Sequence, residues 1–283
     1  HDRAPVGRPS CLCRPMIGTA SPPCAACLEP PAAMITEPFF YAVAVPAVIL
    51  YGLSKGGFAG IAILSMPLLS LAISPVQAAA IMLPVLMVQD VVTVWSYRRT
   101  WDAATLLHLA PGALAGIVAG YLFASFVSEP AVRLIVGLIA VAFCLDRWLR
   151  TPAEGEVRPQ NWLSASVLGW LSGYTSFVIH VGGPPFNMYA LPRGLSRDVF
   201  VGSAGIFFAV VNVVKVAPFI ALGQLTLANL ATATMLFPLA IAANMAGIWL
   251  VRRVPTALFY RIIYVLTFVV GCVLLAGAIP AML

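Results

Sequence analysis

The chain has 283 residues, 61% of them hydrophobic and only 9% charged, with a formal net charge of +6. A mean hydropathy of +0.97 lies outside the range of soluble domains and marks an integral membrane protein. Part of the positive balance falls in loops between apolar runs, so it carries no argument for a nucleic-acid partner.

Residues 1–33 differ in texture from the rest. They are rich in proline and hold four of the six cysteines, Cys11, Cys13, Cys24 and Cys27. A CxC followed by a CxxC is not a recognised zinc-finger spacing, and no uninterrupted apolar core precedes a small-residue cleavage site. The expectation is a disordered leader or an incorrectly assigned start, with Met34 as the true beginning. Helical material is then expected at 39–53 and 61–73, and at 78–97, 105–126 and 131–149. Segment 150–160, with Pro152, Pro159 and alternating charges, reads as a linker. Beyond it come 162–179, a short arm at 184–191, and spans at 198–221, 226–251 and 256–279. No Lys, Arg, Asp or Glu interrupts 56–89, 103–128, 216–251 or the chain after Arg261. A helix crosses a bilayer with about 20 apolar residues. The runs do not alternate with period two, which argues against a β-barrel.

The second half repeats the rhythm of the first. A first repeat over 34–149 and a second over 161–283 flank the linker 150–160, each a glycine-broken pair of short segments followed by three full spans. AGIVAG at 115–120 is echoed by AANMAG at 242–247, and Asp90 falls near Asn212. Arginine-bearing loops at 98–99, 147–158, 193–197 and 252–253 belong in the cytoplasm, whereas 74–77, 126–130 and 222–225 lack Lys and Arg. The linker and the 193–197 loop are both basic, so the segment between them enters and leaves on one side. HVGGPPFN (180–187) is then the tip of a hairpin, and SKGGFAG (54–60) the tip of a second one entering from outside. Three spans per half invert the second repeat relative to the first. The fold class expected is all-α and polytopic, with two inverted repeats, each a broken-helix hairpin plus three transmembrane helices. Arg133, at the outer end of a span, stands against this scheme, while Arg261 is close enough to the cytoplasmic end to snorkel.

Broken helices at membrane depth leave backbone groups without partners, and such breaks persist where they line a cavity or a substrate. Half-helix ends converging from opposite sides are the arrangement of inverted-repeat secondary transporters. Close helix packing with no ligand is the competing reading.

Over nearly all of 38–283 the sequence resembles the TauE/SafE (TSUP) family of sulfite exporters and related permeases. The resemblance rests on GLSKGGFAGIAILSMPLL (52–69) and its second-half counterpart GWLSGYTSFVIHVGGPPFNMYAL (169–191). It implies transport of a small sulfur-containing anion, sulfite or an organosulfonate, or in some members a small carboxylate, across the cytoplasmic (inner) membrane.

The intramembrane polar residues fit an anion. Lys55 and Lys215 are the only lysines, and both lie in apolar stretches, where a charge costs about 2.5–3.5 kcal/mol on lenient insertion scales. Lys55 with the backbone of Gly56 and Gly57 would meet an oxyanion at the first break; the alternative is snorkelling to the interface. His180, Gly182 and Gly183 occupy the second break, with His180 a proton carrier or a neutral imidazole bonded to a carbonyl. Asn187 would donate to the anion or cap the broken arm. Asp90, Asn212 and Lys215 form a next layer, an Asp–Lys pair that couples protons or holds helices together. Ser54, Ser65, Thr175 and Ser176 read as packing hydroxyls, and Gly112, Gly116 and Gly120 as a small-residue face serving a homodimer or an internal contact. Neither HExxH nor GxxxxGK[ST] is present, so no enzyme, metal, cofactor or ATP hydrolysis is expected. An anion channel is the alternative to a secondary transporter.

Overall fold

The computed structural model describes residues 34–58, 61–123, 129–149 and 161–278. The leader with its four cysteines and the linker 150–160 lie outside them. The described residues form ten α-helices in order: α1 Pro38–Gly56, α2 Ser65–Leu69, α3 Pro75–Tyr97, α4 Ala103–Phe123, α5 Glu129–Leu149, α6 Trp162–Ile179, α7 Gly183–Ala190, α8 Arg197–Ala221, α9 Leu227–Arg253 and α10 Thr256–Ala278. Among the described residues, α1, α3, α4, α8, α9 and α10 are long and apolar enough to cross a membrane. The single helix expected at 61–73 is corrected to a 3-10 turn, Ile61–Leu64, followed by the one-turn α2. Pro67 inside α2 supplies no backbone donor, and α2 ends after Leu69.

Both breaks are built from backbone that ordinary helix cannot continue. α1 stops at Gly57, whose φ of 140° suits a residue without a Cβ. α6 stops at His180, the one described non-glycine residue at positive φ (55°). After Gly57 the chain returns to the end it came from: Phe40 and Ala44 near the start of α1 share a core with Leu69 of α2 and Ala78 of α3. Ser65 donates to the Ala47 carbonyl at 3.0 Å along the way. The α6–α7 segment also doubles back, because Arg193 beyond α7 reaches Asp102 before α4 at 3.2 Å. Ser74, Asn161 and Thr226 start α3, α6 and α9 by accepting from the backbone N–H of Gln77, Leu163 and Asn229.

The helices pair in a pattern that survives exchange of the two halves. α1 packs on α9 as α6 packs on α4, α3 packs on α9 as α8 packs on α4, and α3–α8 and α5–α10 pair across the middle. Small residues set the directions. Gly52 faces Ala243 and Gly56 faces Gly247, so α1 and α9 run parallel. Gly112 lies against Ser166, Gly116 against Trp170 and Gly120 against Phe177, so α4 and α6 also run parallel. The Gly112, Gly116 and Gly120 face is therefore filled from within by α6. α3 and α8 are antiparallel, with Gly202 at Tyr97 and Asn212 at Asp90.

A Cβ on Gly56 would meet the Gly247 carbonyl carbon at 2.5 Å, backbone that cannot step aside. Gly56→Ala is expected to lower the thermal unfolding midpoint in detergent, by overpacking worth about 1–3 kcal/mol. Gly183→Ala, where a Cβ meets nothing within 4 Å, should leave that midpoint in place.

One end of the molecule gathers arginines. Arg197 donates to the Val254 carbonyl at 2.6 Å and Arg252 to the Ser96 carbonyl at 3.3 Å. Partial burial raises the Asp102 carboxyl, but hydrogen bonds from Thr105 and the Arg193 guanidinium outweigh it and hold the group below the ordinary carboxylate value. Trp95, Trp101, Trp148, Trp162 and Trp249 stand exposed toward this end, with Arg98 over the Trp95 ring and Arg253 over Trp249, as at a membrane interface.

Candidate functional site

Between the two breaks lies a cavity of about 90 Å³, room for a few waters or one small anion. Its polar wall is made by Lys55 and Gly57 from the first break, His180, Gly182 and Gly183 from the second, and Ser176, Asn212 and Lys215 beside them. Its apolar wall comes from Phe200, Val201, Ala204 and Phe208 of α8, with Leu86 and Val270. The two hairpin tips read from the sequence thus meet on one space.

Lys55 Nζ donates to Asp90 Oδ1 at 2.5 Å, and Asn212 Nδ2 donates to Asp90 Oδ2 at 2.6 Å. The lysine that meets Asp90 is therefore Lys55 and not Lys215, which corrects the layer expected from the sequence. Helix direction decides this: α1 and α3 lie side by side, with Thr93 donating to the Lys55 carbonyl at 3.4 Å. Asp90 stands behind Lys55, outside the cavity lining. Lys215 is fully buried and donates to the Ser176 carbonyl at 3.0 Å and the Ser176 hydroxyl at 3.2 Å. Among the described residues no carboxylate pairs with it. Lys55 and Asp90 cancel in formal charge, so Lys215 leaves the cavity wall one positive charge in excess.

The halves match position for position here. Thr93 reaches the Lys55 carbonyl from α3, and Lys215 reaches the Ser176 carbonyl from α8. Asp90 and Asn212 meet across the middle. One half carries its lysine on the broken helix and the other on the helix that follows.

Among the described residues, two buried side chains of the cavity wall hold polar atoms with no hydrogen-bond partner. Both ring nitrogens of His180 are unbonded, as is the Tyr51 hydroxyl. Leaving such groups unmatched costs about 1–3 kcal/mol each, a cost a polar guest would relieve. Tyr51 was not singled out in the sequence; its signal is the spacing of four residues before Lys55, which places both on one face of α1. Ser176, read there as a packing hydroxyl, is a partner of Lys215.

Gly56 and Asn187 are not in the cavity. Gly56 is spent on the α1–α9 contact, and Asn187 donates to Thr267 Oγ1 at 3.1 Å, tying α7 to α10. The second break is held from within, Ser172 Oγ donating to the Gly182 carbonyl at 2.7 Å. Among the described residues no three His, Cys, Asp or Glu side chains gather.

The family described as sulfite exporter TauE/SafE matches residues 44–274, a span that contains both breaks and every residue of the cavity wall. No curated protein and no solved structure gives a significant match.

Proposed function

Because the chain belongs to the sulfite exporter TauE/SafE family, a family of membrane transporters, we propose that its central cavity binds a small oxyanion of sulfur, sulfite or a short organosulfonate, and passes it across the cytoplasmic membrane. The observation that carries this reading is Lys215, a buried lysine lining the cavity whose hydrogen-bond partners among the described residues are neutral oxygens. An oxyanion supplies the missing charge. It would also accept from the Tyr51 hydroxyl and from one His180 nitrogen, the two groups left unmatched in its absence.

The inverted-repeat reading is supported by the pairing pattern, since α1, α3 and α9 share one direction and α4, α6 and α8 the other. With the arginine-rich end in the cytoplasm, the α1 hairpin enters from outside and the α6 hairpin from inside. Alternating access then exposes one fixed site to either face.

Purified full-length protein heated with sulfite, short sulfonates, sulfate and small carboxylates tests the substrate class. The expected result is a rise in unfolding temperature with a sulfur oxyanion, about 2.7 kcal/mol at a hundredfold excess over Kd. In proteoliposomes the same anion should show saturable flux and counterflow. Stabilisation by a carboxylate alone would replace the substrate, flux without saturation would replace the transporter by a channel, and no response to any anion would end the reading.

A further inference from the structure

We infer that the central cavity orients its guest, with the oxyanion group at Lys215 and a short apolar substituent directed along α8 toward Ala204, so that Phe208 and Ala204 set which substituents fit. This deepens the function proposed above and rests on it. The basis is the order of side chains on the face of α8 that lines the cavity: Val201, Ala204, Phe208, Asn212 and Lys215. Spacings of three and four residues place them on one stripe. The stripe changes character partway. From Val201 to Phe208 its side chains are apolar, and from Asn212 to Lys215 they are polar.

The other walls follow the same division. Lys215 donates to Ser176, and Ser176 and Phe208 both close on Gly182. A Cβ placed on Gly182 would lie 2.8 Å from Phe208 Cε1 and 3.0 Å from Ser176 Cβ. Lys55 Nζ stands 5.3 Å from the centre of the Phe208 ring. The polar groups therefore gather where the apolar stretch begins. Toward the arginine-rich end, where α8 starts, the space closes on Gly57 and Val201. A Cβ on Gly57 would meet Val201 Cγ2 at 3.1 Å and Val251 Cγ2 at 2.8 Å.

The chemistry that fits is an anion with its oxygens on one side. A sulfonate turns its oxygens to Lys215 and its carbon to Ala204, and sulfite turns its lone pair there. Sulfate carries oxygen on every side, so one oxygen would leave water to face the side chains of Ala204 and Phe208, which have no hydrogen bond to offer. Each methylene buried beside Ala204 adds about fourfold in affinity, until Val201 and Gly57 end the space.

Isothermal titration of the full-length protein with sulfite, sulfate and the methane-, ethane-, propane- and butanesulfonates reads this orientation. In the parent chain affinity should rise with tail length and then stop rising, and sulfate should bind several-fold more weakly than ethanesulfonate. Ala204→Ile fills the apolar end and should lower the ratio of propanesulfonate to sulfite affinity several-fold. Phe208→Leu shortens the wall and should move the best tail to a longer one. Melting curves of both variants separate folding from binding, and Ala204→Val makes the same comparison with a smaller side chain if the isoleucine is not tolerated. Lys215→Met should weaken every sulfonate by the same factor. A tail-length preference that is identical in the Ala204 and Phe208 variants and the parent overturns the inference and leaves the proposed function standing, as does sulfate bound as tightly as ethanesulfonate. If the parent chain binds no sulfur oxyanion, the proposed function falls and the inference falls with it.

Discussion

Lys215→Met is expected to insert and fold like the parent protein and to bind its anion roughly 10- to 150-fold more weakly, the loss of a charged hydrogen bond worth about 1.5–3 kcal/mol. Among the described residues no carboxylate is hydrogen-bonded or ion-paired to Lys215, so the substitution breaks no such pair. Its neighbours, the carbonyl and hydroxyl of Ser176, are neutral, and a methionine of similar length fills the space. Affinity should therefore fall without a matching fall in unfolding temperature, the two being read in one ligand titration of thermal stability. Equal affinity in the variant and the parent would remove the residue on which the functional reading rests.

Lys55→Met should behave in the opposite way. The ammonium leaves Asp90 almost wholly buried, with Asn212 as its remaining partner. Breaking one side of a buried pair costs about 3–5 kcal/mol, so the variant should be scarce in the membrane and unfold early. Lys55→Met combined with Asp90→Asn removes both charges together and should recover most of the lost stability. The comparison needs only membrane levels and melting curves for four proteins. Single substitutions whose effects simply add in the double variant would show that the pair is not coupled, and the assignment of Lys55 to Asp90 would fail.

Much of this arrangement was legible in the chain. Helix ends follow the apolar runs closely, because a bilayer leaves few other conformations for such segments. The two Gly-Gly breaks and the ionisable residues near them pointed to residues that line the central cavity, since polar groups in apolar text are costly. Which lysine serves Asp90 was not legible. That depends on α1 lying parallel to α3, a tertiary fact that hydropathy does not encode. Asn187 was expected to donate to the anion or to cap the broken arm because it follows the second break, yet it lies within α7 and its amide donates to Thr267 on α10; one helical residue step decides between cavity and neighbour. Tyr51 escaped notice because an aromatic residue in a greasy helix looks like packing until its hydroxyl is found without a partner. Arg133 stands out as an exception to the loop charges, and it lines a space of about 330 Å³ with residues of α2, α8 and α10.

The glycine contacts between α1 and α9, and between α4 and α6, carry a mechanical consequence. Where Gly56 rests on Gly247, and Gly116 on Trp170, backbone touches backbone. Such seams have no compliant side chain to deform, so neither helix can slide along its partner without colliding within a fraction of a turn. Each hairpin is thereby geared to one full-length helix from the other half. If the molecule turns its site from one face to the other, α1 must carry α9 with it and α6 must carry α4. The slip planes are left to interfaces cushioned by larger side chains, where rings such as Phe177, Phe208 and Phe219 can roll. A pair of cysteines locking α1 to α9 should then be harmless to transport, while a crosslink between α6 and α8 near Phe177 and Phe219 should arrest it.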